Sequence, residues 1–262
     1  MRIGFLGAGR MGAPMVRRLA DAGHQVRVLG RDDEKRAAVA ELGATPVSSP
    51  REAVEGVDVA IVCVFTDGQV RELCPDLLDA LPEGSILVLH TTGSPRTAEA
   101  LAERGAARGI AVIDAPVSGG PHDIAAGTIT VFAGGPDDAV ARAHEALAAY
   151  ADPVLHVGPV GAGQRVKLVN NALFAAQIGV VAEGVRLGDR LGIDEATLLS
   201  ALTHGSAASR ALGGIAATGS ADAFIARVGE FIGKDVAVVR RTASELDSDL
   251  GRLEGLLDVA VN

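Results

Sequence analysis

At 262 residues and 48% apolar content the chain can form one large domain or two ordinary ones around a substantial core, which excludes disorder as its main state. Its 33 Asp and Glu against 24 Lys and Arg leave a formal net charge of −9, which opposes a nucleic-acid backbone, and one tyrosine, six phenylalanines and no tryptophan offer little for base stacking. Two cysteines, Cys63 and Cys74, make neither a disulfide framework nor a four-ligand zinc site and read as inert packing thiols.

The first apolar run, residues 3–6, is cut at once by Gly7 and Gly9 with Arg10 behind them, so it predicts a strand and a turn, not the apolar segment of a secretory leader. A cytoplasmic location is the expectation. Gly7-Ala8-Gly9-Arg10-Met11-Gly12 then opens a helical pattern over residues 11–22. Strand, G-x-G-x-x-G and helix in that order form the setting of a dinucleotide site. The first glycine permits the tight turn, the second lets backbone approach a pyrophosphate, the third allows helix to pack on strand, and the helix N-terminus offers N–H groups to the anion.

The next run, 26–29, closes on Gly30-Arg31. An NAD site places an acidic residue there for the ribose 2′-OH. Gly30 instead leaves room for a 2′-phosphate and Arg31 supplies a planar guanidinium to meet it, so NADP is favoured and NAD remains possible. Asp32 is assigned to capping the following helix, 34–42. Apolar runs at 59–65, 86–89, 111–113, 129–133 and 153–157 continue the alternation, with Ser94 and Pro95 as a helix start before 96–104. Such alternation predicts an α/β, Rossmann-type, doubly wound parallel sheet with helices on both faces, over residues 1–160.

Strand signals stop after residue 157. Gly158-Pro159-Val160-Gly161-Ala162-Gly163 leads into a helical pattern over 164–191, apolar on more than one side through Val166, Val169, Leu173, Phe174, Ile178, Val181 and Val185. It predicts one long helix buried between domains or subunits, and hence a homodimer or tetramer. Segments 195–202, 221–225 and 234–246 are helical, so residues 161–262 form a smaller, all-helical domain serving substrate binding and dimerisation. The longest uninterrupted apolar stretches fall short of the roughly 18 to 20 residues of a spanning helix, and no membrane partner is expected.

Three further strings resemble one family. Asp114-Ala115-Pro116-Val117-Ser118-Gly119-Gly120, continuing to Gly127-Thr128-Ile129-Thr130, is similar to the substrate-binding signature of the β-hydroxyacid dehydrogenases. The glycine-rich 158–163 segment followed by Lys167 and Asn170-Asn171 resembles their catalytic signature, and Lys234-Asp235 their lysine motif in the last domain. With Gly7 to Gly12 the likeness covers residues 2 to about 250; 3-hydroxyisobutyrate dehydrogenases and tartronate semialdehyde or glyoxylate reductases are the members to compare. It implies that Lys234 lies near the nicotinamide or the substrate carboxylate, and that Thr92 touches the cofactor.

These residues suit the chemistry independently. Reducing a carbonyl by hydride leaves charge on oxygen, so a proton donor of tunable pKa is needed beside the nicotinamide, and Lys167, flanked by Val166, Leu168 and Val169, is the candidate general acid and base. Asn171 lies one turn on, on the same helical face, to bond the reacting oxygen or hold the lysine. Ser118, Gly119 and Gly120 supply a hydroxyl and backbone N–H groups for a substrate carboxylate, which implies a small acidic substrate bound in a cleft between the domains. None of the six histidines has metal-ligand spacing, and the mechanism is expected to be metal-free.

The string also departs from the family pattern. His90 stands where an acidic residue is usual, Ile124 and Ala125 replace the common small and acidic pair, and many relatives carry a further helical segment beyond the length of this chain. His122, beside the glycine loop, reads as a solvated loop residue or a substrate contact. Two other readings stay open: an imine reductase, disfavoured because those proteins usually lack the lysine at this place, and a non-catalytic NADP-binding sensor, disfavoured by Lys167, Asn171 and Ser118 together.

Overall fold

In the computed structural model, which describes residues 1–261, each of the seven apolar runs becomes a strand. The chain runs β1 (Arg2–Leu6), α1 (Gly12–Asp21), β2 (Gln25–Leu29), α2 (Asp33–Glu41), β3 (Thr45–Val47), α3 (Pro50–Val54), β4 (Val59–Val62), α4 (Asp67–Ala80), β5 (Ile86–Leu89), α5 (Pro95–Ala106), β6 (Ala111–Asp114), β7 (Val117–Ser118), α6 (Pro121–Ala126), β8 (Ile129–Gly134), α7 (Asp137–Leu147) and β9 (Ala151–Gly158). Helices alone follow: α8 (Ala162–Arg190), α9 (Glu195–Leu202), α10 (Arg210–Thr218), α11 (Ala221–Glu245), a 3-10 turn at Gly251–Leu253, and α12 (Glu254–Val261).

Among the described residues the strands form one nine-stranded sheet in the order β3-β2-β1-β4-β5-β6-β8-β7, with β9 pairing β8. From β3 to β6 every pairing is parallel. The inner strands are buried on both faces, which is why they read as continuous apolar runs. Successive residues feed opposite cores: Ile3, Phe5, Val59, Ile61, Ile86 and Val88 pack with Met15, Val16 and Leu19 of α1, whereas Leu6, Ala60, Val62, Leu87 and Leu89 pack with Leu77 and Leu78 of α4 and Leu101 of α5.

The all-parallel expectation needs correction at one edge, where β8 runs antiparallel to β6 and β7. A parallel return needs a crossover long enough to span the sheet. Only the six-residue α6 lies between β7 and β8, about 9 Å of helix, so the chain turns back. β9 then returns parallel to β8 across the longer α7. The three-residue β3 contains Pro46, which an edge strand tolerates and which hid it from the apolar pattern.

The chain divides into two compact units, Met1–Lys167 and a second from Leu168 onward. The second unit packs Ala175, Ala176, Ile178 and Ala182 of α8 against Leu199, Leu212, Ile215, Phe224, Ile232 and Val236. The separate helices expected at 221–225 and 234–246 are one continuous α11. Gly229 and Gly233 each cost roughly 1 kcal/mol of helix propensity, and the burial of Phe224, Ile232 and Val236 outweighs it. Along α8 of the single chain, Val169, Leu173, Val180 and Leu187 are between 46% and 60% exposed. By length and composition α8 is long and apolar enough to cross a bilayer, although Gln177, Gly179 and Gly184 interrupt its apolar runs.

Candidate active site

The parallel strands β2, β1, β4 and β5 end on one side of the sheet, and the glycine loop 7–12, Gly30-Arg31 and Thr92 follow the ends of β1, β2 and β5 there. Gly7 leaves β1 with φ +105°, and a Cβ on it would run into the Cys63 carbonyl. Only glycine fits that turn. A Cβ on Gly12 would strike the Gly7 carbonyl, whereas one on Gly9 would meet nothing within 4 Å, so the loop is jammed on its inner side and open outward. Met11, with Ala8 and Arg10 in the same loop, precedes α1 without a side-chain cap, leaving the helix start for an anion.

At the end of β2 the structure adds a reason for Gly30. A Cβ there would lie 2.7 Å from Arg36 Cγ and 2.9 Å from its backbone nitrogen. The acidic side chain of an NAD-type site is therefore excluded by backbone packing. Arg31 is exposed beside it, Asp32 caps α2 by accepting from Lys35 N at 2.7 Å, and Arg36 Nη1 donates to Gly30 O at 2.9 Å. The pattern at β2 named only Arg31. The approach of Arg36 to Gly30 depends on how the first turn of α2 folds back over the strand end.

Beyond β5, Thr91 Oγ1 donates to Val64 O at 2.9 Å and accepts from Val64 N at 3.1 Å, which leaves Thr92 half-buried in the turn between Thr91 and Gly93. Gly93 N donates to Gln164 Oε1 at 2.9 Å, and Gln164 Nε2 donates to Thr91 O at 2.8 Å. Through that side chain the first turn of α8 is fastened to the end of β5. Asp114, fully buried at the end of β6, accepts from Gly161 N at 2.6 Å and from Gln164 N at 2.7 Å. Burial pushes its pKa up to about 6 although both N–H bonds favour the anion. His90 is a core residue: its Nδ1 lies 2.6 Å from Ala115 O and its Nε2 2.7 Å from Tyr150 Oη. Burial lowers its pKa to about 4, so it is neutral at pH 7, with Nδ1 assigned the proton because it faces a carbonyl.

Lys167 is buried, 8% exposed, one turn beyond Gln164. Asn171 follows one turn later on the same helix and is 7% exposed. Its Oδ1 accepts from Asn170 Nδ2 at 3.2 Å, but its Nδ2 is the one buried side-chain polar atom without a hydrogen-bond partner among the described residues. Ser118 closes β7 half-buried and Gly119 is exposed, while the Gly120 N–H donates to Asp123 Oδ2 at 2.7 Å. Of the two glycine donors read from the sequence, that of Gly120 is thus already engaged. His122 is exposed, 3.4 Å from Asp123 through Nε2. Lys234 lies half-buried in the middle of α11, in the second unit.

Residues 2–158 match the family described as the NAD binding domain of 6-phosphogluconate dehydrogenase, and residues 161–254 match the one described as NAD-binding of NADP-dependent 3-hydroxyisobutyrate dehydrogenase. A 3-hydroxyisobutyrate dehydrogenase of Pseudomonas aeruginosa is 35% identical over 213 residues, 80% of this chain and 72% of that one.

The chain belongs to the β-hydroxyacid dehydrogenase family.

As a member of that family it is an NAD(P)-binding oxidoreductase. An NAD-dependent L-serine dehydrogenase of the same organism is 34% identical, over 80% of this chain and 72% of that one. The solved structure of Mycobacterium tuberculosis 3-hydroxyisobutyrate dehydrogenase with L-serine superposes with a TM-score of 0.89 at 28% identity, covering 99% of this chain and 92% of that one. The doubly wound sheet followed by a helical part is therefore the β-hydroxyacid dehydrogenase fold. His90, one of the departures from the family pattern, is buried against Tyr150.

Proposed function

We propose that this protein transfers a hydride between nicotinamide and a small β-hydroxyacid or the matching semialdehyde or keto acid, preferring NADP, with Lys167 as general acid and base. The observation that carries this reading is Asn171 Nδ2. A buried donor without an acceptor costs about 1–3 kcal/mol, a cost that a substrate oxygen bound to it would relieve. Lys167 lies one turn before it on the same helical face.

Gly7 to Gly12 fit a pyrophosphate: the loop is open at Gly9 and the start of α1 has no side-chain cap. Arg31, exposed beside Gly30, is the guanidinium assigned to a 2′-phosphate, a reading supported by the tight packing of Gly30 on Arg36. When bound, the nicotinamide supplies or accepts the hydride. Lys167 Nζ gives a proton to the substrate oxygen in reduction and takes one from the hydroxyl in oxidation, and Asn171 Nδ2 donates to that same oxygen. Ser118 Oγ and the Gly119 N–H hold the carboxylate, with Thr92 on the cofactor and Lys234 near nicotinamide or carboxylate as the family likeness suggests. Residues 1–160 serve as the cofactor domain and 161–262 as the helical substrate and dimerisation domain. The compact unit itself runs on to Lys167, because Asp114 and Gln164 tie the first turn of α8 to the sheet.

NADPH consumption with small semialdehydes, keto acids and cyclic imines, and NADP+ reduction with 3-hydroxy acids including L-serine, tests the substrate class. Lys167→Ala is expected to lower kcat by roughly 10²- to 10⁴-fold with little change in NADPH affinity. Full turnover by that variant removes Lys167 from the chemistry, and tight NADPH binding with silence across the panel favours a sensor.

A further inference from the structure

The start of α8 has no side chain of its own to close it. From Gly158 to Gly163 the chain offers only glycine, proline, valine and alanine, none of which carries a side-chain oxygen that can accept from the leading N–H groups. The acceptor comes from β6 instead. Both oxygens of Asp114 are occupied by the helix start, Oδ1 by Gly161 N at 2.6 Å and Oδ2 by Gln164 N at 2.7 Å. The approach is close enough that a Cβ on Gly163 would lie 2.6 Å from Asp114 O and 2.9 Å from Asp114 Oδ2.

Gln164, its backbone held in this way, commits its side chain to the Thr91 carbonyl and the Gly93 N–H beyond β5. Lys167 is the next residue on the same face, one turn on. A serine or asparagine within 158–163 would cap the helix without burying a charge. What a carboxylate on β6 adds is a fixed relation between the turn that carries Lys167, the turn that carries Thr92, and Ser118, four residues along the strand segment from Asp114 itself.

We propose that Asp114, acting with Gln164, is a positioning residue of the reaction: by capping α8 from β6 it places the Lys167 amine against the Thr92 turn and the Ser118 hydroxyl. This rests on the reading of Lys167 as the proton-transfer group. Asp114→Asn preserves shape but turns one of two acceptors into a donor facing an N–H, and Gln164→Ala removes only the links to Thr91 and Gly93. Each is expected to lower kcat by roughly 10- to 100-fold, with substrate KM and NADPH Kd close to the wild-type values. Amide hydrogen exchange should quicken over residues 161–167 in Asp114→Asn while the strand amides stay protected.

Gln164→Ala decides the matter if Asp114→Asn does not fold. Wild-type kcat in folded variants, or equal losses of turnover and cofactor binding with exchange quickened throughout, overturns the proposal. Lys167→Ala is measured in parallel. If it retains full turnover, the reading of Lys167 has failed; if it is inactive while both positioning variants keep full kcat, only the present inference has failed.

Discussion

The glycine at position 30 is packed too tightly on Arg36 to be replaced without a shift of the chain. Its hydrogens face the backbone of Arg36 at distances that no Cβ can occupy, so the side chain that would accept a ribose 2′-OH has no place at the end of β2. The neighbouring charges are mixed: Arg31 reaches solvent, Asp32 caps α2, and Arg36 is half-buried with its guanidinium shared between Gly30 O and Asp33. Arg31→Ala is expected to weaken NADPH binding by about tenfold or more, the scale of one charge-assisted hydrogen bond, while NADH binding changes little. Titrating both reduced cofactors into wild type and variant checks this; equal losses would remove the 2′-phosphate from the assignment. Arg31 was legible because it follows the strand in the sequence. Arg36 was not, since its contact with Gly30 arises only when α2 folds back over the strand end.

Among the elements, α8 carries Lys167 and Asn171, the residues proposed for proton transfer, and divides its apolar side chains between a buried and an exposed set. Its residues Ala175, Ala176, Ile178 and Ala182 enter the core of the second unit, as a helix rich in small and branched side chains should. Val169, Leu173, Val180 and Leu187, at spacings of four and seven, align in one exposed stripe. A stripe of this kind supports self-association, the expectation that the apolar pattern raised. Val180→Asp combined with Leu187→Asp is predicted to lower the molecular mass in solution, measured by sedimentation, to that of one chain of 26.6 kDa. A mass unchanged by the substitutions would place any interface elsewhere. Periodicity located the helix to within two residues at its start and one at its end; which apolar side chains it buries depends on α9, α10 and α11, whose packing no local pattern encodes.

Across the whole molecule, two buried titratable groups act on stability with opposite signs. Folded His90 holds its proton only below about 4, against an ordinary 6.5, so the unfolded chain binds more protons in that window and acidification favours unfolding. Folded Asp114 titrates at about 6 against 3.8, so between those values the folded chain binds more protons, and its contribution is present at low pH and lost as pH rises through 6. Each amounts to about 3 kcal/mol, and over pH 4 to 6.5 they nearly cancel. Asp114→Asn removes one side of that balance. Urea unfolding of the variant is predicted to show about 3 kcal/mol more loss on going from pH 6.5 to 4 than the wild type shows. Parallel profiles for the two proteins would mean that Asp114 does not titrate in this range.

Local order along the chain was enough for the dinucleotide loop, the seven apolar strands, the caps at Asp32 and Ser94, and the succession of four motifs that marks the β-hydroxyacid dehydrogenases. Each of these is written within a few residues, where spacing alone dictates turn, face or cap. Folding in three dimensions decided the reversed strand β8, the burial of His90 against Tyr150, the engagement of the Gly120 N–H, and the capping of α8 by a carboxylate 47 residues before Gly161. Such pairings join groups that stand far apart in sequence or take part in no repeating pattern, and only the packing of strand ends against a helix start brings a buried carboxylate and two unmet N–H groups to the same point.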